Sequence, residues 1–389
     1  MAIVMFRRPK LAKQFCDAVQ GEGLLDARSG LFLTARRRVG KSTFLKEDLV
    51  PEAQKRGWAT VYVDLWEDKS QDPAVLLADQ IKRAIVAEEG FILKATRKAK
   101  LSKVSVLGSL TIDLDKAGFP EGMSLKDALV LLYETVKKPI MLIVDEAQHA
   151  LTTNAGSNAM FALKAARDHM NTSDAAPKLM LVMTGSNRDK LTHLVINRKQ
   201  PFFGSQVSPF PLLGKDFTDM LTATINQQLA ENNQLNHDDV FSAFQLIGHR
   251  PEILLTIIGR IVLQGDAPCL SQLIHDDAKI WHETIWGEYE STYEALTPLQ
   301  QAILIVMATE GANFSPFVES AFSSYRKLTG ETDFSNSTIQ AALESLRERE
   351  IVWKESRGLY AVEDDGFATW LKKLAVTQST EITTLPMEE

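Results

Sequence analysis

A chain of 389 residues, 45% of them hydrophobic, has the length to bury a large core and to hold two or three domains. Its net charge of −7 is uneven: from Ser291 onward there are 8 Lys and Arg against 15 Asp and Glu, so the preceding residues balance to zero. Cys16 and Cys269 have no metal-ligand spacing and imply neither a disulfide framework nor zinc, no apolar run is long enough to span a bilayer, and the opening Met-Ala-Ile-Val-Met-Phe-Arg-Arg-Pro is too short an apolar run for a signal peptide. The expectation is a cytoplasmic protein with no membrane contact.

In chain order, the apolar run 31–33 predicts a strand. It leads into Ala35-Arg36-Arg37-Arg38-Val39-Gly40-Lys41-Ser42-Thr43, and a helix is predicted over 44–55. Residues 58–65 are rich in β-formers and predict a strand. A helix follows over 73–88. Residues 104–106 and 110–114 alternate around Gly108 and predict a small hairpin. A helix over 124–136 leads into the apolar strand 139–144, which ends in Asp145 and Glu146. A helix over 158–170, a strand over 178–184 and a short strand over 206–210 complete an alternating order. Such alternation implies a parallel sheet covered on both faces. From 216 the pattern is helical only, over 216–231, 239–247 and 251–263, with a break at Gly248-His249-Arg250-Pro251. Helices at 299–307 and 338–349 carry a stripe of Ile339, Leu343 and Leu346. A hairpin of 351–354 and 358–362, then a helix over 367–374, complete a winged helix-turn-helix. A polar tail begins near Thr377.

The strand, loop and helix around Gly40-Lys41-Ser42 form the context in which a phosphate-binding loop works. Loop N–H groups and the helix N-terminus converge on phosphates. Lys41 adds a point charge for the outer phosphates, and the Ser42 hydroxyl can ligate magnesium. The full motif wants Gly where Ala35 stands. If that position needs positive φ, Ala costs about 1 kcal/mol. A chance Gly-Lys-Ser after a strand is the competing reading. The second half of the site is the strand ending in Asp145 and Glu146, since ligands in parallel sheets sit at the strand carboxyl ends. Asp145 is placed to hold Mg²⁺ and Glu146 to polarise a water; a helix-capping acidic pair is the alternative. Basic islands lie at 7–46 and at 91–103, the latter with Lys94, Arg97, Lys98, Lys100 and Lys103. Each reads either as a nucleic-acid surface or as a solvated helix face.

Taken together, Arg-Arg-Val-Gly-Lys-Ser and Ile-Val-Asp-Glu-Ala-Gln resemble the motifs of AAA+-related ATPases of the archaeal-ATPase and STAND type, over roughly residues 6–374. The resemblance implies an α/β P-loop NTPase sheet (1–215, with an insertion at about 91–123), a helical lid (216–290), a winged helix (291–375) and a flexible tail (376–389). It implies ATP or ADP with Mg²⁺ as the bound group and slow ATP hydrolysis. Residues 35–43 would bind the phosphates, and Ser42 and Asp145 the metal. Lys41, Asp145 and Glu146 would carry the chemistry. Ser186 and Asn187 stand where the family senses the γ-phosphate; capping of the next helix is the other role open to them. Arg250 and Pro251 resemble the lid turn, where Arg250 contacts the γ-phosphate or holds the turn. Arg198 is the candidate trans-acting arginine, because Ser205 stands where several relatives show Arg; its alternative is a surface residue. Self-association, a protein partner and nucleic acid are the partner classes implied. The winged helix itself is acidic, with Glu344 and Glu348 beside Arg347 and Arg349, which suits a solitary DNA clamp poorly. A protein-binding STAND-type signalling module is therefore the alternative to a remodeller acting on nucleic acid.

Overall fold

The computed structural model describes residues 5–23, 25–94, 103–106, 110–113, 117–172, 176–196, 198–263, 269–331, 333–356 and 358–384. The chain forms two compact units. A sheet unit comprises Arg7–Ala35 and Lys41–Phe210; a helical unit comprises Met1–Phe6, Arg36–Gly40 and Pro211–Glu389.

The sheet unit begins with α1 (Pro9–Gln20), whose proline suits the first helical turn. β1 (Leu31–Thr34) follows, then α2 (Lys41–Phe44), a π-helical turn (Leu45–Leu49) and α3 (Val50–Lys55). Helix therefore starts at Lys41, three residues before the expected 44. The π turn ends two residues before Pro51, whose missing N–H and ring disturb the ordinary ladder over the preceding turn. Next come β2 (Ala59–Asp64), α4 (Pro73–Lys94), the antiparallel pair β3 (Lys103–Val106) and β4 (Leu110–Asp113), and α5 (Leu125–Val136). α5 starts where Ser124 and Asp127 form a reciprocal capping box. β5 (Ile140–Asp145), a 3₁₀ turn (Ala147–Thr152), α6 (Asn154–Met170), β6 (Leu179–Gly185), α7 (Arg188–Ile196) and β7 (Val207–Pro209) complete the unit. The side chains of the basic run from Lys94 to Lys103, together with Gly108 and Leu114 of the expected hairpin, lie outside the described residues.

The five strands lie in the order β2-β5-β6-β1-β7, every pair parallel. Every residue of β5 and β6 is buried, as continuous apolar runs in a two-sided sheet should be. The register aligns their carboxyl ends: Asp64 pairs with Asp145, and Thr34 with Gly185. β1 lies between β6 and β7, not beside β2, so the strand order reverses there, the position at which sheets of this kind bind ligands beyond the strand carboxyl ends.

One glycine in α6 is fixed by contact. A Cβ on Gly156 would lie 2.4 Å from the backbone carbonyl oxygen of Ala150. Alanine ordinarily favours a helix over glycine by about 1 kcal/mol. Here the obstacle is backbone, so Gly156→Ala is expected to reverse that sign and destabilise by about 1–3 kcal/mol. A urea melt reads it, and a midpoint at or above wild type would contradict this packing.

In the helical unit, α8 (Lys215–Asn226), α9 (His237–Leu246) and α10 (Pro251–Leu263) surround their own core of Phe217, Leu221, Phe244 and Leu254. α8 stops short of the expected 231 because Asn226 turns its side chain onto the backbone of Leu235, accepting from its N–H at 2.7 Å and donating to its carbonyl at 2.9 Å. α11 (Leu270–Glu294) has no counterpart among the expected lid helices and crosses the boundary expected at 290. Ile274 and Ala278 join the core of α8, α9 and α10, whereas Trp286, Tyr289 and Tyr293 pack on the next one. One continuous helix thus serves both cores.

The second core is a winged helix: α12 (Pro298–Glu310), α13 (Glu319–Thr329), α14 (Asn336–Glu348), the antiparallel wing β8 (Val352–Ser356) and β9 (Leu359–Val362), and α15 (Asp365–Thr384). The stripe of Ile339, Leu343 and Leu346 is fully buried beside Tyr325 and Leu371. α15 continues to Thr384, past the expected start of a flexible tail at 376. No Gly or Pro interrupts it there, and the Thr377 hydroxyl donates to the Lys373 carbonyl at 3.1 Å. No described helix is long and apolar enough to cross a membrane.

Candidate functional site

β1 delivers the chain into residues 35–40. The Ala35 N–H donates to the Gly185 carbonyl at 3.1 Å. Left-handed backbone occurs at Arg38 (φ 67°) and Gly40 (φ 86°), not at Ala35. The expected strain at Ala35 is therefore absent, and the position tolerates a Cβ. Arg38 carries the unfavourable conformation instead.

Lys41, the first residue of α2, is buried. Its ammonium donates to Asp145 Oδ1, to Glu146 Oε1 at 3.1 Å and to Thr184 Oγ1 at 3.1 Å. The other Asp145 oxygen accepts from Ser42 Oγ at 2.7 Å and from the Tyr62 hydroxyl at 2.9 Å. Thr184 Oγ1 also donates to Asp145 Oδ1. Asp145 is fully buried. Burial alone would raise its pKa, but the Lys41 charge and the surrounding donors outweigh burial and hold it at about 2, below the ordinary 3.8. Burial pushes Glu146 up too, and Lys41 with Ser186 and Gln148 brings it below the ordinary range. Both groups are carboxylates at neutral pH.

Glu146 sits in a left-handed conformation (φ 54°) at the strand-to-turn junction. Its Oε2 accepts from Ser186 Oγ at 2.7 Å, from the Ser186 N–H at 3.2 Å and from Gln148 Nε2 at 2.5 Å. Three donors on one oxygen hold the carboxylate against β6.

The sheet unit thus gathers Lys41, Ser42, Asp145, Glu146 and Ser186 at one set of strand ends. It does not bring Arg198 into that network, since Arg198 lies exposed in the turn after α7. Asn187 caps α7, accepting from the Lys190 N–H at 2.8 Å. Thr43 is exposed, with its side chain outside the network. In the helical unit, Val39 is buried, Arg37 and Arg38 are exposed, and Arg38 approaches Glu252 at 3.6 Å. Pro251 opens α10.

Three members of the cluster, Tyr62, Gln148 and Thr184, were not among the expected site residues. A signal for the first existed: Tyr62 and Asp64 lie two apart on a predicted strand and so share a face. Asp64, at the end of β2, is raised by burial and then by Asp145 and Glu146.

The donor set suits a hard cation. Ser42 Oγ and Asp145 Oδ2 are oxygens side by side at the start of a helix that follows a Gly-Lys loop. Among the described residues there is no cluster of three His, Cys, Asp or Glu that would hold a transition metal instead.

Comparison with known proteins gives the fold. A family model described as "Probable winged helix domain" matches residues 287–373. No curated protein matches the sequence. Among solved structures, the chain is similar to the Walker-type ATPase of Pyrococcus abyssi, with 18% identity over 95% of this chain and 96% of that one at a TM-score of 0.55. It is also similar to the ORC2 protein of Aeropyrum pernix in its ADP form, with 13% identity over 95% and 93% at a TM-score of 0.53. The chain therefore shares the P-loop fold of these two structures and carries a winged helix toward its C-terminus.

Proposed function

We propose that this protein binds ATP or ADP with Mg²⁺ and hydrolyses ATP slowly, so that nucleotide state controls a lid and a winged helix. The observation that carries this reading is the meeting of Lys41 and Ser42 with Asp145 and Glu146 at the ends of parallel strands. Residues 35–43 bind the phosphates, with backbone N–H groups and the start of α2 supplying the positive field. Lys41 exchanges its carboxylate partners for phosphate oxygens. Ser42 and Asp145 hold the magnesium, which neutralises phosphate charge when bound. Tyr62 and Thr184 fix the rotamer of Asp145. Glu146 aligns the attacking water. Its three donors from Ser186 and Gln148 draw it away from that task, which supports slow turnover. The ADP form of the similar ORC2 protein supports the choice of nucleotide. Arg250 and Pro251 form the lid turn, and Arg198 is the arginine we assign to a neighbouring copy if the chain self-associates. We divide the chain into a core, a lid and a winged helix, with α11 joining the last two.

For the output we favour a protein partner over DNA. The recognition-type helix α14 pairs Arg347 with Glu344 at 2.8 Å, and on α13 Arg326 pairs with Glu319. Arginines already paired to carboxylates have little charge left for a phosphate backbone. The test is capture by immobilised Glu146→Gln protein with and without ATP, scoring both protein and nucleic acid. ATP-dependent retention of a protein is expected. Retention of nucleic acid alone would reverse the choice of target, and absence of ATP binding by the wild type at millimolar nucleotide would remove the whole reading.

A further inference from the structure

Arg36, in the middle of the phosphate-loop segment, is already engaged. Its Nη1 donates to Asp364 Oδ1 at 2.7 Å, across 328 residues of sequence. Both side chains are about three-quarters buried. The same carboxylate oxygen accepts from the Tyr289 hydroxyl at 3.2 Å, from the Gly366 N–H at 2.7 Å and from the Phe367 N–H at 3.2 Å. Asp364 is thus the N-cap of α15 and the anchor of Arg36 at once.

The guanidinium is closely seated. A Cβ on Gly366 would lie 3.1 Å from Arg36 Nη1 and 2.6 Å from the Tyr289 oxygen. A Cβ on Gly248, in the lid turn, would lie 3.8 Å from Arg36 Nη2. Burial, then the Asp364 charge, raises the Tyr289 hydroxyl, while the charges of Arg36 and Arg250 pull it down. Tyr289 stacks on Phe367 at 5.1 Å, which fixes α11 to the first turn of α15.

Two features make the contact reversible. A cation at the start of α15 opposes the helix dipole, so the Asp364 carboxylate has to offset that cost to hold it there. When Arg36 leaves, Asp364 keeps its two backbone donors, and the helix stays capped. The pair therefore links loop to winged helix without being needed to fold either.

We propose that Arg36 and Asp364 form a latch: without nucleotide the winged helix holds the phosphate loop through this pair, and nucleotide phosphate takes Arg36 and releases it. The inference rests on the nucleotide reading given above. Phosphate and carboxylate are both bidentate partners for guanidinium and compete for the same donors. Linkage makes the effect reciprocal: a change that frees Arg36 from Asp364 and leaves the arginine in place tightens nucleotide binding.

The test uses the full chain with Asp364→Asn, since asparagine keeps the cap and removes the charge. Asp364→Ser, also a capping residue, decides the matter if the Asn form does not fold. ATP with Mg²⁺ is titrated calorimetrically, and amide hydrogen exchange is followed over 364–371. The variant should bind ATP about fivefold more tightly than wild type. In the wild type, ATP should speed exchange in that segment. Affinity equal to or weaker than wild type, or exchange unmoved by ATP, overturns the latch alone. Failure of the wild type to bind ATP overturns the nucleotide reading and the latch with it.

Discussion

Lys41→Ala is expected to abolish ATP binding at concentrations that saturate the wild type, and to destabilise the sheet unit by about 3–5 kcal/mol. The second effect distinguishes this site from a loop lysine in solvent. Lys41 is buried and pairs with Asp145, which is buried completely. Removing one partner leaves a carboxylate in the interior with no compensating charge, and Glu146 loses the same ammonium. The pH dependence gives a check on sign. In the wild type the Asp145 pKa is depressed from 3.8 to about 2. That group contributes stability above pH 3.8, lost as pH falls toward 2, and adds no slope between pH 7 and 5. Without Lys41 the burial that raises this carboxyl is opposed only by the hydroxyl donors Ser42, Tyr62 and Thr184, and Glu146 repels it further. Its folded pKa then exceeds its unfolded one, so through this group acidification stabilises the variant over a range where the same group adds no slope in the wild type. Denaturation at pH 7 and pH 5, with ATP titration in parallel, reads both effects. A variant as stable as wild type at pH 7 would mean that the Lys41–Asp145 pair is solvated and not the centre of the site.

The sheet and the core of the site are legible in the sequence for one reason. Strands buried on both faces must be written as apolar runs, and a run such as Ile-Met-Leu-Ile-Val allows little else. Asp145 and Glu146 stand out because they end that run; Lys41 stands out because Gly40 and Ser42 bracket it. What the sequence hides is set by register and by distance. Tyr62 meets Asp145 only because β2 and β5 pair with Asp64 opposite Asp145. Thr184 joins the cluster because β6 lies on the other side of β5. α11 is hidden for a different reason. Its buried residues Leu270, Ile274, Ala278 and Ile285 form a stripe about one residue wide amid charges, and its remaining apolar residues serve a second core. The Ala35 substitution looked costly because the motif implies left-handed backbone at its first glycine; that conformation falls on Arg38 and Gly40 instead. Arg36 and Asp364 lie at opposite ends of the chain, and no local pattern in either segment announces the other.

Glu146→Gln is expected to keep ATP affinity within about threefold and to lower turnover by about 10²–10⁴-fold, the range over which positioned acid–base groups contribute. Several features separate the two effects. In the proposed reading, phosphate affinity comes from Lys41, the loop N–H groups and the metal held by Ser42 and Asp145, and of these the substitution reaches only Lys41, which loses one carboxylate partner. Glutamine has nearly the same shape and accepts the left-handed backbone at this position as well as glutamate does. Its carbonyl oxygen can still take the Ser186 hydroxyl, so the fold around β6 survives. What disappears is the negative charge that draws a proton from water. In the wild type that charge is secure at neutral pH, because Lys41 and the Ser186 and Gln148 donors outweigh the burial that opposes it. The variant also loses one attraction to Lys41, which frees the ammonium for phosphate and acts in favour of binding. Binding and single-turnover hydrolysis measured on the same preparation separate the two. Unchanged hydrolysis would move the water-polarising role to another group, with Asp64 next to be tried, since it closes the neighbouring strand opposite Asp145 and its raised pKa suits a proton acceptor.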